Sequence, residues 1–139
     1  MSLLWLALAG CPRSQVALDK NALRQDTQEK AFLRDSAETH WEGVRWDIPE
    51  SAAAFYEDPL TRARYQGVNQ VYSRIMDVSI LHVELDERAD EAGSGPLRTG
   101  TVYVRVEGVG SDNVLRVEER EQKWYRTPEG WWVQLPVED

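Results

Sequence analysis

The sequence predicts an α+β fold: a long N-terminal helix and short helices packed on a curved, four-stranded antiparallel sheet. Three observations carry this expectation. Apolar residues recur at helical spacing only before Gly67. Alternating β-branched residues dominate after it. Turn residues then cut the second half into four runs. Helices segregated from an antiparallel meander define the class, and such a sheet covers one face with helix and wets the other.

Taken in order, residues 12–20 are short and polar and read as a tether, which with Cys11 extends to residue 24. From Ala22 to Val44 a helix is expected, with Phe32, Ala37, Trp41 and Val44 on one stripe and charges opposite. Gly43 and Ile48-Pro49 bracket its end. Ser51–Tyr56 reads as a second, short helix. Asp58 can cap a third, with Pro59 at its first position, Leu60–Gln66 continuing it and Gly67 ending it.

Val71–Leu85 reads as a long strand with two inward sets, Met76/Val78/Ile80 and Leu81/Val83/Leu85. The change of phase at Ile80-Leu81 predicts a β-bulge. Asp86–Pro96 is an acidic, then glycine-rich loop. Thr99–Glu107 places Val102, Val104 and Val106 on one face, and Gly108–Asn113 turns the chain. Val114–Arg126 is the third strand, Thr127–Gly130 a tight turn, and Trp131–Val137 the last strand.

At 139 residues and 42% hydrophobic content, the chain supports one domain with a real core. Its net charge of −8 argues against nucleic acid, whose phosphates demand Lys/Arg clusters. No polybasic patch offers itself to anionic lipid. One cysteine and two histidines leave neither an intramolecular disulfide nor a plausible transition-metal site.

Residues 3–9, Leu-Leu-Trp-Leu-Ala-Leu-Ala, carry no polar side chain. Seven residues make about 10 Å of helix, far short of a bilayer core but the length of a signal-peptide apolar region. They run into Leu8-Ala9-Gly10-Cys11, which resembles the lipobox of bacterial lipoproteins. The resemblance implies a diacylglyceryl group on the Cys11 sulfur, removal of residues 1–10, and acylation of the new Cys11 amine. Several acyl chains at ~0.8 kcal/mol per buried CH₂ anchor firmly. Cys11 is then the lipid-attachment site, with no other cofactor expected. Only Met1 and Ser2 precede the apolar run and neither is basic, a departure that a start slightly upstream would explain. Residue 12 is Pro, not Asp, and lipoproteins lacking Asp there are usually sorted to the outer membrane, facing the periplasm.

The remainder, residues 25–139, resembles the nuclear transport factor 2-like superfamily, a cone-shaped α+β fold. The resemblance rests on aromatics near the end of the first helix (His40-Trp41 and Trp46), on the segment from Phe55 to Tyr65, and on the closing pair Gln122-Lys-Trp124 and Gly130-Trp-Trp132. A smaller helix-plus-meander lipoprotein, like accessory subunits of outer-membrane assembly machines, is the rival architecture. Members of the superfamily include non-enzymatic domains, some of them lipoproteins, as well as isomerases, dehydratases, epoxide hydrolases and polyketide cyclases. The fold therefore selects no function.

Enzymes of this superfamily bury acid/base groups inside the cone, where burial shifts their pKa. The corresponding residue types here are His40, Asp47, Asp77, His82 and Glu84. Asp77 points inward if no bulge intervenes and outward with one. His82 alternates to the face opposite Leu81 and Val83. His40, near the end of the long helix, reads as a partial cation favoured by the helix dipole. Arg62 and Arg64 with Tyr65 could line a mouth for an anion, or form the wet face of a short helix. Trp131 and Trp132 are adjacent on a strand, so one enters the core and the other does not. The expected pocket or interface residues are Trp41, Trp46, Tyr65, Asp77, Trp124 and Trp132.

The function expected from all this is a membrane-anchored envelope lipoprotein carrying a non-catalytic binding or scaffolding domain. One alternative is a small-molecule enzyme or carrier using the cone interior. Another is an accessory subunit of an envelope complex, docked through the Trp132 side. Expected partners are the membrane, and an envelope protein or a second copy through the sheet face.

Overall fold

The computed structural model describes residues 12–65, 72–86 and 97–135, with side chains from Lys20 onward in the first of these. Residues 1–11, the expected third-helix end at Gln66-Gly67, residues 87–96 of the acidic loop and the last residues of the final expected strand lie outside them. Among the described residues the chain forms α1 (Pro12–Arg45), α2 (Pro49–Ala53), α3 (Pro59–Ala63), β1 (Arg74–Leu85), β2 (Arg98–Val109), β3 (Leu115–Thr127) and β4 (Gly130–Val133). The strands make one antiparallel sheet in the order β1-β2-β3-β4. The α+β class is therefore as expected.

The segment expected to be a tether is helical instead, since α1 begins at Pro12. Pro at the first helical position is pre-organised, and Gln15, Ala17, Leu18, Lys20, Ala22, Leu23 and Arg24 are good helix formers. Polar composition said nothing against a helix. At its other end α1 stops in a Schellman motif. Ile48 N–H donates to Gly43 O (2.8 Å) and Asp47 N–H to Val44 O (3.3 Å), with Asp47 at φ 52°.

The buried stripe of α1 is Leu33, Ser36, Ala37, His40, Trp41 and Val44. Phe32, expected on it, is exposed at 42%, and Leu33 takes its place at 0%. Phe32 instead lies under the Arg126 guanidinium, 4.9 Å from the ring centroid. Arg126 also binds Glu29 (3.2 Å), and Arg98 binds Asp26, so two ion pairs fix α1 to the strand ends.

Two glycines allow close approach. A Cβ on Gly100 would sit 2.6 Å from Leu33 Cδ2, where α1 meets β2. A Cβ on Gly43 would sit 2.6 Å from Ala52 N and 2.9 Å from Ser51 C. Those neighbours are backbone and cannot rotate away. Gly43→Ala should therefore pry α2 off α1 and cost about 1–3 kcal/mol. A lowered urea midpoint is the expected readout, and an unchanged midpoint would count against this contact.

The bulge expected at Ile80-Leu81 is present, because the β1/β2 register shifts between Ile80 and His82. A second shift falls between Ile75 and Asp77. The two bulges correct the inward set. Met76 and Leu81 are the extra residues and are exposed. Ile75, Val78, Ile80, Val83 and Leu85 lie opposite Gly108, Val106, Val104, Val102 and Gly100. The first bulge came with no sequence break, because Ile75 and Met76 are both apolar.

Candidate functional site

The most distinctive polar feature is buried. His40 is 0% exposed, and its Nδ1 lies 2.8 Å from Ala52 O. A carbonyl only accepts, so Nδ1 carries the proton and Nε2 is the acceptor. The Gln122 amide nitrogen lies 3.4 Å from that Nε2. Gln122 Oε1 accepts from both Trp41 Nε1 (3.0 Å) and Trp124 Nε1 (2.8 Å). The imidazole is boxed edge-on by Trp41, Phe55, Tyr56 and Trp124, with ring centroids 5.5–6.0 Å away. Burial drives the His40 pKa down to about 4, against a smaller opposing effect of the Ala52 hydrogen bond. His40 is thus a neutral, satisfied core group joining α1, α2 and β3. It is not the dipole-stabilised cation expected, because the sheet and α2 close over this part of α1.

Gln122, quoted in the closing hairpin, was not among the expected site residues. The only signal available was its parity: it shares the inward face of β3 with Trp124. Trp131 is also core, at 2% exposure, and its Nε1 has no hydrogen-bond partner among the described residues. Trp132 takes the other face of β4, half-buried, and its Nε1 donates to Thr127 Oγ1 (2.7 Å). The adjacent pair divides between the faces as alternation requires.

The other candidates scatter. Asp47 is exposed and serves as the left-handed cap of α1. Asp77 lies opposite Glu107 on the outward set and pairs with Arg45 (3.4 Å). Trp46 is 62% exposed on the α1–α2 elbow, its Nε1 donating to Glu42 (2.8 Å) and its ring under Arg45 (4.8 Å). Tyr65 packs against Tyr56, centroids 5.7 Å apart. Arg62 and Arg64 are exposed on or just after α3, whose cap is Asp58 as expected. The Thr61 hydroxyl and the Leu60 and Thr61 amides hold the Asp58 carboxyl below its ordinary range.

One grouping forms on the outer face of the sheet. His82 Nε2 lies 3.1 Å from Glu84 Oε1, and Tyr103 Oη donates to Glu84 Oε2 (3.3 Å). The His82 and Tyr103 rings are 5.8 Å apart. Burial and the Glu84 and Glu121 carboxylates push the Tyr103 hydroxyl upward. The face around it holds Arg105 paired with Glu107 (3.1 Å), and Lys123 bound to Thr101 (2.6 Å). These contacts satisfy one another on the outer face. Among the described residues, no three His, Cys, Asp or Glu side chains gather as a metal site.

A groove of about 300 Å³ lies on the opposite side of the sheet, between α1 and β1, lined by Glu38, Trp41, Glu42, Val78 and Ile80. Trp41 is its only member among the expected pocket residues. The helix side supplies residues 38, 41 and 42, which share one face by i/i+3/i+4 spacing. The strand side supplies Val78 and Ile80, alternate residues between the two bulges.

No family model, curated protein or solved structure matches the chain. No described helix is long and apolar enough to cross a membrane.

Proposed function

We propose that this chain is a lipid-anchored lipoprotein of the bacterial envelope whose folded part is a binding or scaffolding module. The observation that carries the reading is the apolar run of residues 3–9 ending in Leu8-Ala9-Gly10-Cys11. The cysteine count agrees, since the one thiol sits where lipid would be added.

The position of α1 suits an anchored domain. α1 is described from Pro12, the residue next to Cys11, and its Asp26 pairs with Arg98 of β2. Pro12, where an Asp would favour retention, supports the outer membrane.

A binding rather than catalytic role is supported by the scatter of the acid/base candidates. His40 is locked in the core, Asp47 caps a helix, Asp77 is ion-paired, and His82 and Glu84 lie on an open face. We also read the fold as the cone-shaped kind of the nuclear transport factor 2-like proteins, on the strength of its helices-then-meander order. In that reading the interior is filled by Trp124, His40 and Trp41.

Replacing the acceptor tests the anchor. The wild-type protein should fractionate with membranes of its native host and carry lipid, and Cys11→Ser should carry no lipid and keep residues 1–10. A wild-type chain without lipid would remove the proposal.

A further inference from the structure

We infer that the groove between α1 and the outer edge of β1 docks an extended, basic peptide segment of a partner protein, added as a strand beside Asp77–Ile80. This rests on reading the domain as a binding module and names the chemistry of its partner. Four observations combine. First, β1 is the terminal strand of the sheet, and among the described residues only β2 pairs with it. A terminal strand presents main-chain donors and acceptors to a further strand. Second, the bulges at Met76 and Leu81 bracket a regular run, Asp77–Ile80, paired in sequence with Glu107–Val104. The groove lies beside that run and not beside the distorted ends. Third, four residues pair too briefly to hold a strand by backbone alone, so side-chain contacts must supply the rest. The groove offers Val78, Ile80 and Trp41 as apolar walls and the carboxylates Glu38 and Glu42 at its rim. A Lys or Arg side chain suits both parts, laying its methylenes along the wall and its charge at the carboxylates.

Fourth, α1 already makes these contacts with a side chain of its own. Arg34 donates to the Ile80 carbonyl (3.4 Å) and pairs with Glu38 (3.5 Å). One guanidinium thus shows that a β1 carbonyl and a groove carboxylate lie within reach of the same cation. An incoming basic strand would extend that pattern along β1 toward Glu42, taking over at Asp77 the place that Arg45 holds (3.4 Å). The net charge of −8 favours approach of such a segment.

The test uses the full chain carrying Cys11→Ser, so that no lipid is attached whether or not the anchor proposal holds. The probe is an end-capped hexapeptide alternating Lys and Val. Its two controls replace every Lys by Glu, or methylate the backbone nitrogens. Binding is followed by amide shifts in two-dimensional ¹H–¹⁵N spectra. The Lys peptide should shift Asp77–Ile80 and Glu38–Glu42, while the Glu and N-methyl peptides leave them in place. Glu38→Lys with Glu42→Lys changes only exposed helix positions, and unchanged circular dichroism will verify the fold. That variant should weaken the Lys peptide roughly tenfold and favour the Glu peptide instead. Absence of shifts up to the peptide's solubility limit overturns the inference. So do shifts centred elsewhere, or an affinity indifferent to charge reversal or to N-methylation. Loss of the membrane anchor would be seen only in the fractionation experiment, so the two proposals fail separately.

Discussion

Trp124→Ala should cost about 3–5 kcal/mol, a large fraction of the roughly 5–15 kcal/mol that holds a typical domain together. The ring is fully buried at the centre of the core, edge-on to His40 and Phe55, opposite Gly100 and Val133. Removal leaves a cavity that α1 and β4 cannot both collapse into. It also takes from Gln122 Oε1 one of its two indole donors. Trp124→Phe keeps most of the ring and loses the donor, so about 1–2 kcal/mol is expected. Trp46→Ala should change stability by less than about 0.5 kcal/mol, because that ring is solvent-facing. Urea midpoints of the three variants check the ranking. Equal losses at Trp46 and Trp124 would mean the core is elsewhere.

Acid should release stability through His40. Its ordinary pKa of 6.5 falls to about 4 in the folded protein, chiefly by burial. The unfolded chain therefore binds a proton more readily than the folded one between those values. The sign follows: the stabilising difference is complete above about pH 6.5 and is lost as pH falls toward about 4. A shift of this size is worth about 3 kcal/mol in total. The physical event is specific. A protonated imidazole has no acceptor nitrogen, so the contact with the Gln122 amide is lost inside a ring of aromatic side chains. Unfolding free energy should be measured from pH 7.5 to 4 for wild type and His40→Gln. The variant is less stable at neutral pH but should lack this part of the acid loss. Parallel profiles would show that His40 titrates as if exposed.

The two experiments touch the residues where sequence reading succeeded and failed. The bulge at Leu81 was legible because it broke an apolar alternation, whereas the bulge at Met76 disturbed none. Trp131 and Trp132 divided as strand alternation demands, although which entered the core depended on the register against β3. On α1, Phe32 and Leu33 stand 100° apart, and only the position of the sheet decides between them. His40 looked like a helix-end cation because its partners, Ala52 and Gln122, come from α2 and from 82 residues further along. Of the groove only Trp41 was legible. The groove exists because β1 is terminal in the sheet and α1 crosses beside its regular stretch, both consequences of topology.

The anchor at Cys11 is the claim on which localisation depends. Its most direct measurement is the intact mass of the protein purified from its native host. The expected species begins at Cys11 and is heavier than that chain by one diacylglyceryl group and one N-acyl chain. An unmodified chain retaining residues 1–10 would contradict it.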